Sequence, residues 1–128
     1  MVPVTIGANG TLQYHDEHLT LDFDQKIAIL DTRRMTLTRK EYALLALLVQ
    51  HAGEIIPREA LLMQVWGYSP EIRTRTLDVH IRRLRKKLEV YADQYIETIF
   101  GIGYRFQPYH APRFFQRPLA NQAIALGA

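Results

Sequence analysis

The sequence predicts an α+β domain in which strands come first, three helices follow and a hairpin closes the fold. Three observations carry this. Apolar residues recur with period two between positions 11 and 37. They recur with a helical period between 38 and 89. Two glycines, Gly101 and Gly103, then separate two strand-like runs.

In the first region Leu19, Leu21 and Phe23 alternate with Thr20 and Asp22, and Ile27, Ile29, Met35 and Leu37 continue the pattern. Turn-forming residues at 15–17, 24–25 and 31–32 divide it into three or four short strands with one buried face. The connections are too short for crossovers, so the strands pair antiparallel. Residues 1–9 read as a linker or a leader left from cloning.

Thr38-Arg39-Lys40-Glu41 is a capping box, with Leu37 and Tyr42 placed for a hydrophobic staple. The run 42–49 is apolar on nearly every side, so its helix belongs in the core. Gly53 ends it. Residues 54–56 read as a connector or a single strand. Pro57 presets φ for a second helix at 58–66, which Gly67 terminates. A loop leads to a third helix at 74–89, and the runs 95–100 and 104–107 form a hairpin with glycines at its tip. Beyond Tyr109 the chain has no clear period, and residues 108–128 are expected to be a mobile tail.

A chain of 128 residues fits one domain and can bury a core without staples. With 48% hydrophobic and 23% charged residues, it is neither low-complexity nor mainly disordered. The absence of cysteine excludes a disulfide framework, a Cys-ligated zinc site, an iron–sulfur centre and a thiol nucleophile. No apolar run reaches the roughly 18 residues of a spanning helix. The N-terminus has neither the basic nor the apolar region of a signal peptide. The expectation is a cytoplasmic protein with no membrane partner.

The net charge of +3 is unevenly spread. Residues 73–87, RTRTLDVHIRRLRKK, hold seven Lys/Arg and one acid, net +6, and the remainder is net −3. Such a segment suits a polyanion partner. On a helical wheel of about 100° per residue, Leu77, Ile81, Leu84 and Leu88 form one narrow apolar stripe. Arg75, Thr76, Val79, Arg82, Arg83 and Lys86 take the opposite side, with Arg85 and Lys87 on the flanks. Val79 decides against a merely solvated face, because a β-branched apolar residue is out of place there. In a DNA major groove it can meet a thymine methyl, and arginine can read guanine O6 and N7. The hairpin follows closely, so Thr98, Tyr104 and Arg105 can reach phosphates or the next minor groove. Helix, loop, helix and β-hairpin together describe a winged helix-turn-helix.

The stretches LTRKEYALLALLVQHAGEIIPREALLMQVWG, RTRTLDVHIRRLRKKLE and IETIFGIGYRF resemble the OmpR/PhoB-type effector domain of two-component response regulators, over about residues 10–107. The resemblance implies a four-stranded N-terminal antiparallel sheet, three helices and a C-terminal wing. It places the third helix in the major groove of double-stranded DNA, with Thr76, Asp78, Val79, Arg82, Arg83 and Arg85 on or beside the DNA face. Trp66, Arg75, Thr98 and Tyr104 then approach the DNA backbone. The loop 67–74 matches one that contacts RNA polymerase in some members. Tandem dimers on direct-repeat half-sites and phosphorylation of an N-terminal receiver domain are implied as well. These 128 residues hold no receiver, so the chain is either an isolated effector domain, the favoured expectation, or a stand-alone regulator. Pro57 stands where the family usually has a Ser or Thr cap, and Phe100 stands where many members carry a wing arginine.

Other constellations are weaker. His15-Asp16-Glu17-His18 looks like a metal patch, but HExxH spacing and a third ligand are missing, so a turn between strands is the expectation. Gly101-x-Gly103 lacks the third glycine and following helix of a dinucleotide site. His80 has no carboxylate placed to pair with it, and is read as a DNA-proximal or packing residue. Trp66 is core alone or core with a backbone contact, and Asp78 accepts from cytosine N4 or orients an arginine. The alternatives to a sequence-specific DNA-binding transcription regulator are a small metal hydrolase on the His15–His18 patch and a module binding an acidic protein. No catalytic residue, cofactor or metal is expected.

Overall fold

The computed structural model describes residues 4–7 and 10–110. Five strands come first: β1 (Val4–Ile6), β2 (Leu12–His15), β3 (Leu19–Asp22), β4 (Ile27–Leu30) and β5 (Arg33–Arg34). Each pairs antiparallel with the next, in chain order. Tyr14 faces Leu21, Leu21 faces Ala28, and Leu19 faces Leu30. All five of these side chains are buried, which is what the period-two pattern requires. The expected linker at 1–9 is corrected over Val4–Ile6, which pairs with Leu12–Tyr14 and makes the sheet five-stranded rather than four-stranded. One isolated edge strand of three residues carries too little alternation to stand out from sequence.

Helix α1 (Arg39–Gln50) starts as its cap dictates. The Glu41 amide donates to Thr38 Oγ1 at 3.2 Å, and the Thr38 amide donates to Glu41 Oε1 at 3.0 Å. Tyr42, Leu44, Leu45, Ala46, Leu48 and Val49 are buried, so α1 is the central helix. The Tyr42 hydroxyl ties it to the sheet by donating to the Asp22 carbonyl at 3.0 Å. The connector after α1 is a strand, β6 (Ile55–Pro57), and α2 (Arg58–Trp66) follows at once. Pro57 caps α2 with extended backbone but no side-chain hydrogen bond. At the other end Gly67 takes φ +75°, a left-handed stop that favours glycine.

Helix α3 (Thr76–Leu88) begins two residues later than expected. It buries Leu77, Ile81, Leu84 and Leu88, the predicted stripe, to 1% exposure or less. A 3-10 turn (Glu89–Tyr91) and the one-turn α4 (Ala92–Tyr95) lead to the hairpin, β7 (Ile96–Ile99) and β8 (Gly103–Phe106). Tyr95, expected in the hairpin, lies in α4 and stacks on Phe106 with ring centres 5.5 Å apart. The hairpin is also not two-stranded, because β6 pairs with β8 in the order β6-β8-β7. A Cβ on Gly103 would lie 1.9 Å from the Ile56 carbonyl oxygen, so this pairing demands glycine. The expected tail is corrected at its start. The Tyr109 amide donates to Asp16 at 3.2 Å, and its ring packs edge-on against His18. Residues 111–128 lie outside the described residues.

Candidate nucleic-acid interface

With its apolar stripe fixed on the core, α3 turns its other side outward. Arg82, Arg83 and Lys86 are exposed there, and Arg75 is exposed just before the helix. None of the four has an ion pair or side-chain hydrogen bond among the described residues. Val79 and Thr76 are half-buried between them. Burial of the stripe is what forces these cations to converge on one surface.

The flanking residues behave differently. Arg85, expected on the DNA face, lies over the hairpin. Its guanidinium donates to the Ile96 carbonyl at 2.9 Å and to Thr98 Oγ1 at 2.6 Å, and it sits 5.8 Å from the centre of the Tyr104 ring. Lys87 turns toward α1 and pairs with Glu41 at 2.6 Å. Glu41 is only 2% exposed, and against the cost of burial the Lys87 ammonium and the Thr38 amide hold its carboxyl below the usual range.

Asp78, though exposed, is likewise engaged within the domain. It accepts from Arg58 at 2.6 Å and from the Tyr104 hydroxyl at 2.8 Å. The hydrogen bond from Arg58 holds its carboxyl below the ordinary aspartate range, against partial desolvation and with help from Tyr104. Tyr104 is buried, and its phenol is pushed up first by that burial and then by Asp78. Arg105 pairs with Glu97 across the hairpin at 2.8 Å. Thr98, Tyr104 and Arg105, expected to reach phosphates, therefore all have partners within the domain. Asp78 and Arg85 tie α3 to α2 and the hairpin.

Trp66 is half-buried and meets the edge of His80 with ring centres 4.8 Å apart. His80 Nδ1 lies 2.7 Å from the Thr76 carbonyl oxygen, one turn back on the same helix. The ring is thus a packing group under the N-terminal half of α3.

The family described as "Transcriptional regulatory protein, C terminal" matches residues 32–106. The chain belongs to this family of effector domains. Its relatives include the transcriptional regulatory protein HprR of Escherichia coli K12, 48% identical over 99 residues that cover 77% of this chain and 44% of HprR. The response regulator ArlR of Staphylococcus saprophyticus is 40% identical over 87 residues, covering 67% of this chain and 40% of ArlR. The effector domain thus spans about two fifths of the length of these curated relatives. Among solved structures it resembles the Klebsiella pneumoniae RstA DNA-binding domain in complex with the RstA box. The TM-score is 0.69 at 32% identity, covering 76% of this chain and 98% of that one. It also resembles DrrB, a Thermotoga maritima OmpR/PhoB homolog, with a TM-score of 0.67 at 33% identity, covering 74% of this chain and 44% of DrrB. The fold is the winged helix-turn-helix of that group.

The His15–His18 segment of the effector domain is the expected turn, between β2 and β3. Asp16 accepts from the hydroxyls of Tyr14 and Tyr95, the latter at 2.6 Å, and from the amides of His18 and Leu19. His15 Nδ1 pairs with Thr20 Oγ1 at 2.8 Å, while His18 Nδ1 lies 2.6 Å from Asp31 and its ring stacks on Tyr91. Each side chain of the patch that would be a ligand already has its own partner.

Sequence reasoning missed Arg58 and Glu41 as organisers of this surface. In the sequence Glu41 reads only as a cap. The available signal was Asp78, an acid isolated within a run of seven cations, which needs a reason to be there.

Proposed function

We propose that this domain is the sequence-specific, double-stranded-DNA-binding effector half of a two-component response regulator. The observation that carries the reading is the outward face of α3. Arg82, Arg83 and Lys86 converge there with no ion pair or side-chain hydrogen bond among the described residues, beside Arg75, which lies in the field of Asp78, and around Thr76 and Val79, which suit base edges and thymine methyls. The RstA neighbour, solved on its DNA box, supports it by analogy of fold. In this reading Arg82 or Arg83 reads a base, and Arg75 and Lys86 hold phosphates. Trp66 approaches the backbone from the end of α2. Arg58, Asp78, Tyr104, Arg85 and Thr98 set the angle between helix and wing instead of touching bases.

The rest of the regulator follows from the same reading. A receiver domain precedes the effector and drives tandem binding to direct-repeat half-sites. The exposed 67–74 loop, which presents Ile72 at 47% exposure, offers a surface to RNA polymerase.

The test is a selection from random duplex DNA, followed by salt-dependent anisotropy titration on the recovered site. With Arg75, Lys86 and the arginine that does not read a base on phosphates, log K falls against log salt with a slope of about −3 per subunit. Enrichment of no sequence, or a slope near zero, overturns the reading.

A further inference from the structure

Phe100 is the most exposed apolar side chain among the described residues, at 90% exposure, and it occupies the turn between β7 and β8. The tip is well held. The Ile102 amide donates to the Ile99 carbonyl at 2.9 Å, the Arg58 amide donates to the Ile102 carbonyl at 3.0 Å, and Gly101 takes φ +77°. A glycine next to the aromatic keeps the tip narrow. Phe100 is therefore left uncovered by the described residues, yet its backbone is fixed relative to α2. The Tyr104–Asp78 and Arg85–Thr98 bonds fix it relative to α3 as well. A shallow cleft of about 250 Å³ lies beneath it, shared by Asp78 of α3 and Arg58 of α2.

We propose that Phe100 is an apolar wedge that enters the DNA minor groove next to the half-site, and that it selects flanking sequence by deformability rather than by charge. The proposal rests on the DNA-binding reading above. If α3 lies in the major groove, an element fixed beside it and projecting past it crosses one phosphate strand and meets the adjacent minor groove. That groove is about 6 Å wide, too narrow for the hairpin but wide enough for the one ring at its tip. The charges favour DNA over a protein partner. The neighbouring α3 face is cationic and unpaired, the turn 100–103 carries no acid, and the nearest wing acid, Glu97, is neutralised by Arg105. Apolar side chains that enter the minor groove unstack a base step, and the cost is least at flexible pyrimidine–purine steps. The wing therefore prefers a TA or CA step in the flank over a stiff A-tract, the reverse of what a wing arginine would favour.

The test compares the chain with Phe100→Ala and Phe100→Leu on duplexes that carry the selected half-site, with the flanking step varied and 2-aminopurine placed in it. Wild type should bind the TA-flanked duplex about tenfold tighter than the A-tract duplex, with a rise in 2-aminopurine fluorescence as the step unstacks. Phe100→Ala should erase both effects, Phe100→Leu should keep part of each, and neither should change the salt slope, because no charge is removed. The melting temperature should not move, since the ring is exposed. If wild type binds its half-site without flank preference or fluorescence rise, or if Phe100→Ala keeps the wild-type flank preference and fluorescence rise, the wedge is overturned and the DNA reading stands. If Phe100→Ala instead alters self-association without DNA, the ring belongs to a protein contact and the proposal is likewise overturned. If selection enriches no sequence, the DNA reading falls and takes the wedge with it.

Discussion

Two sets of cations on the same helix have opposite fates. On the outer face of α3, Arg82, Arg83 and Lys86 meet no partner among the described residues. On its flanks, Arg85 and Lys87 are engaged, one with the hairpin and one with α1. All five lie within six consecutive residues and are chemically alike. A charge run is therefore not a binding site as a whole. Its members divide according to which core-facing neighbour sits within reach, and the ones left over form the site. In the proposed reading the free set binds the polyanion, and the engaged set fixes the shape of the surface that carries it.

The sharpest break in this comparison is to remove the free pair. Arg82→Ala with Arg83→Ala should weaken specific DNA binding by about 2–6 kcal/mol, at 1–3 for each base-reading or charge-assisted contact. Exposed substitutions of this kind leave folding within about 0.5 kcal/mol. Anisotropy on the selected site and thermal melting separate the two effects. Retained sequence preference with a lowered melting temperature would place these arginines in the engaged class.

Arg85→Ala should do the reverse. It strips two hydrogen bonds and the cover over Tyr104, so a loss of about 2–3 kcal/mol in chemical denaturation is expected. Amide exchange should speed up through Ile96–Ile99, while base preference at the half-site stays the same.

Lys87→Ala leaves the Glu41 carboxylate buried with only its cap partner. Uncompensated buried charge is costly, and because Lys87 is itself 37% exposed the expected loss is at the low end, about 2 kcal/mol. A phosphate-contacting lysine would instead flatten the salt slope by about one unit. An unchanged slope with lowered stability assigns Lys87 to the fold. Lys86→Ala, its neighbour, should show the opposite pair of results.

The smallest effect concerns acid. Asp78 is held below its ordinary pKa by Arg58, so the unfolded chain takes up that proton first as pH falls. The stabilisation is complete above the unfolded value of about 4 and is lost as pH drops from there through the lower folded value. The chemical shifts of the Tyr104 ring, followed by NMR between pH 6 and 2.5, should hold steady to about pH 4 and move only below it. Asp78→Asn should abolish that acid limb. A transition near neutral pH would point to a different group.

The sequence made the fold class, the three helices and the outward face of α3 legible, because each is written in local chemistry. The Thr38–Glu41 box starts a helix whatever surrounds it, Gly67 stops one, and Leu77, Ile81, Leu84 and Leu88 can only be buried together if the cations between them point outward. The burial of residues 42–49 followed from an apolar run with no polar side to show to water. What stayed hidden depends on contacts between residues far apart in the chain. Whether Val4–Ile6 is a strand was decided by β2 being there to accept it, and β6 became part of the wing because Gly103 leaves room for the Ile56 carbonyl. Asp78, Arg85, Thr98, Tyr104 and Arg105 look like DNA contacts in one dimension, but the packing of α2, α3 and the hairpin brings Tyr104 to Asp78, Arg85 to Thr98 and Arg105 to Glu97. Periodicity fixes which way a side chain faces, and only the tertiary structure decides whether something is already there to meet it.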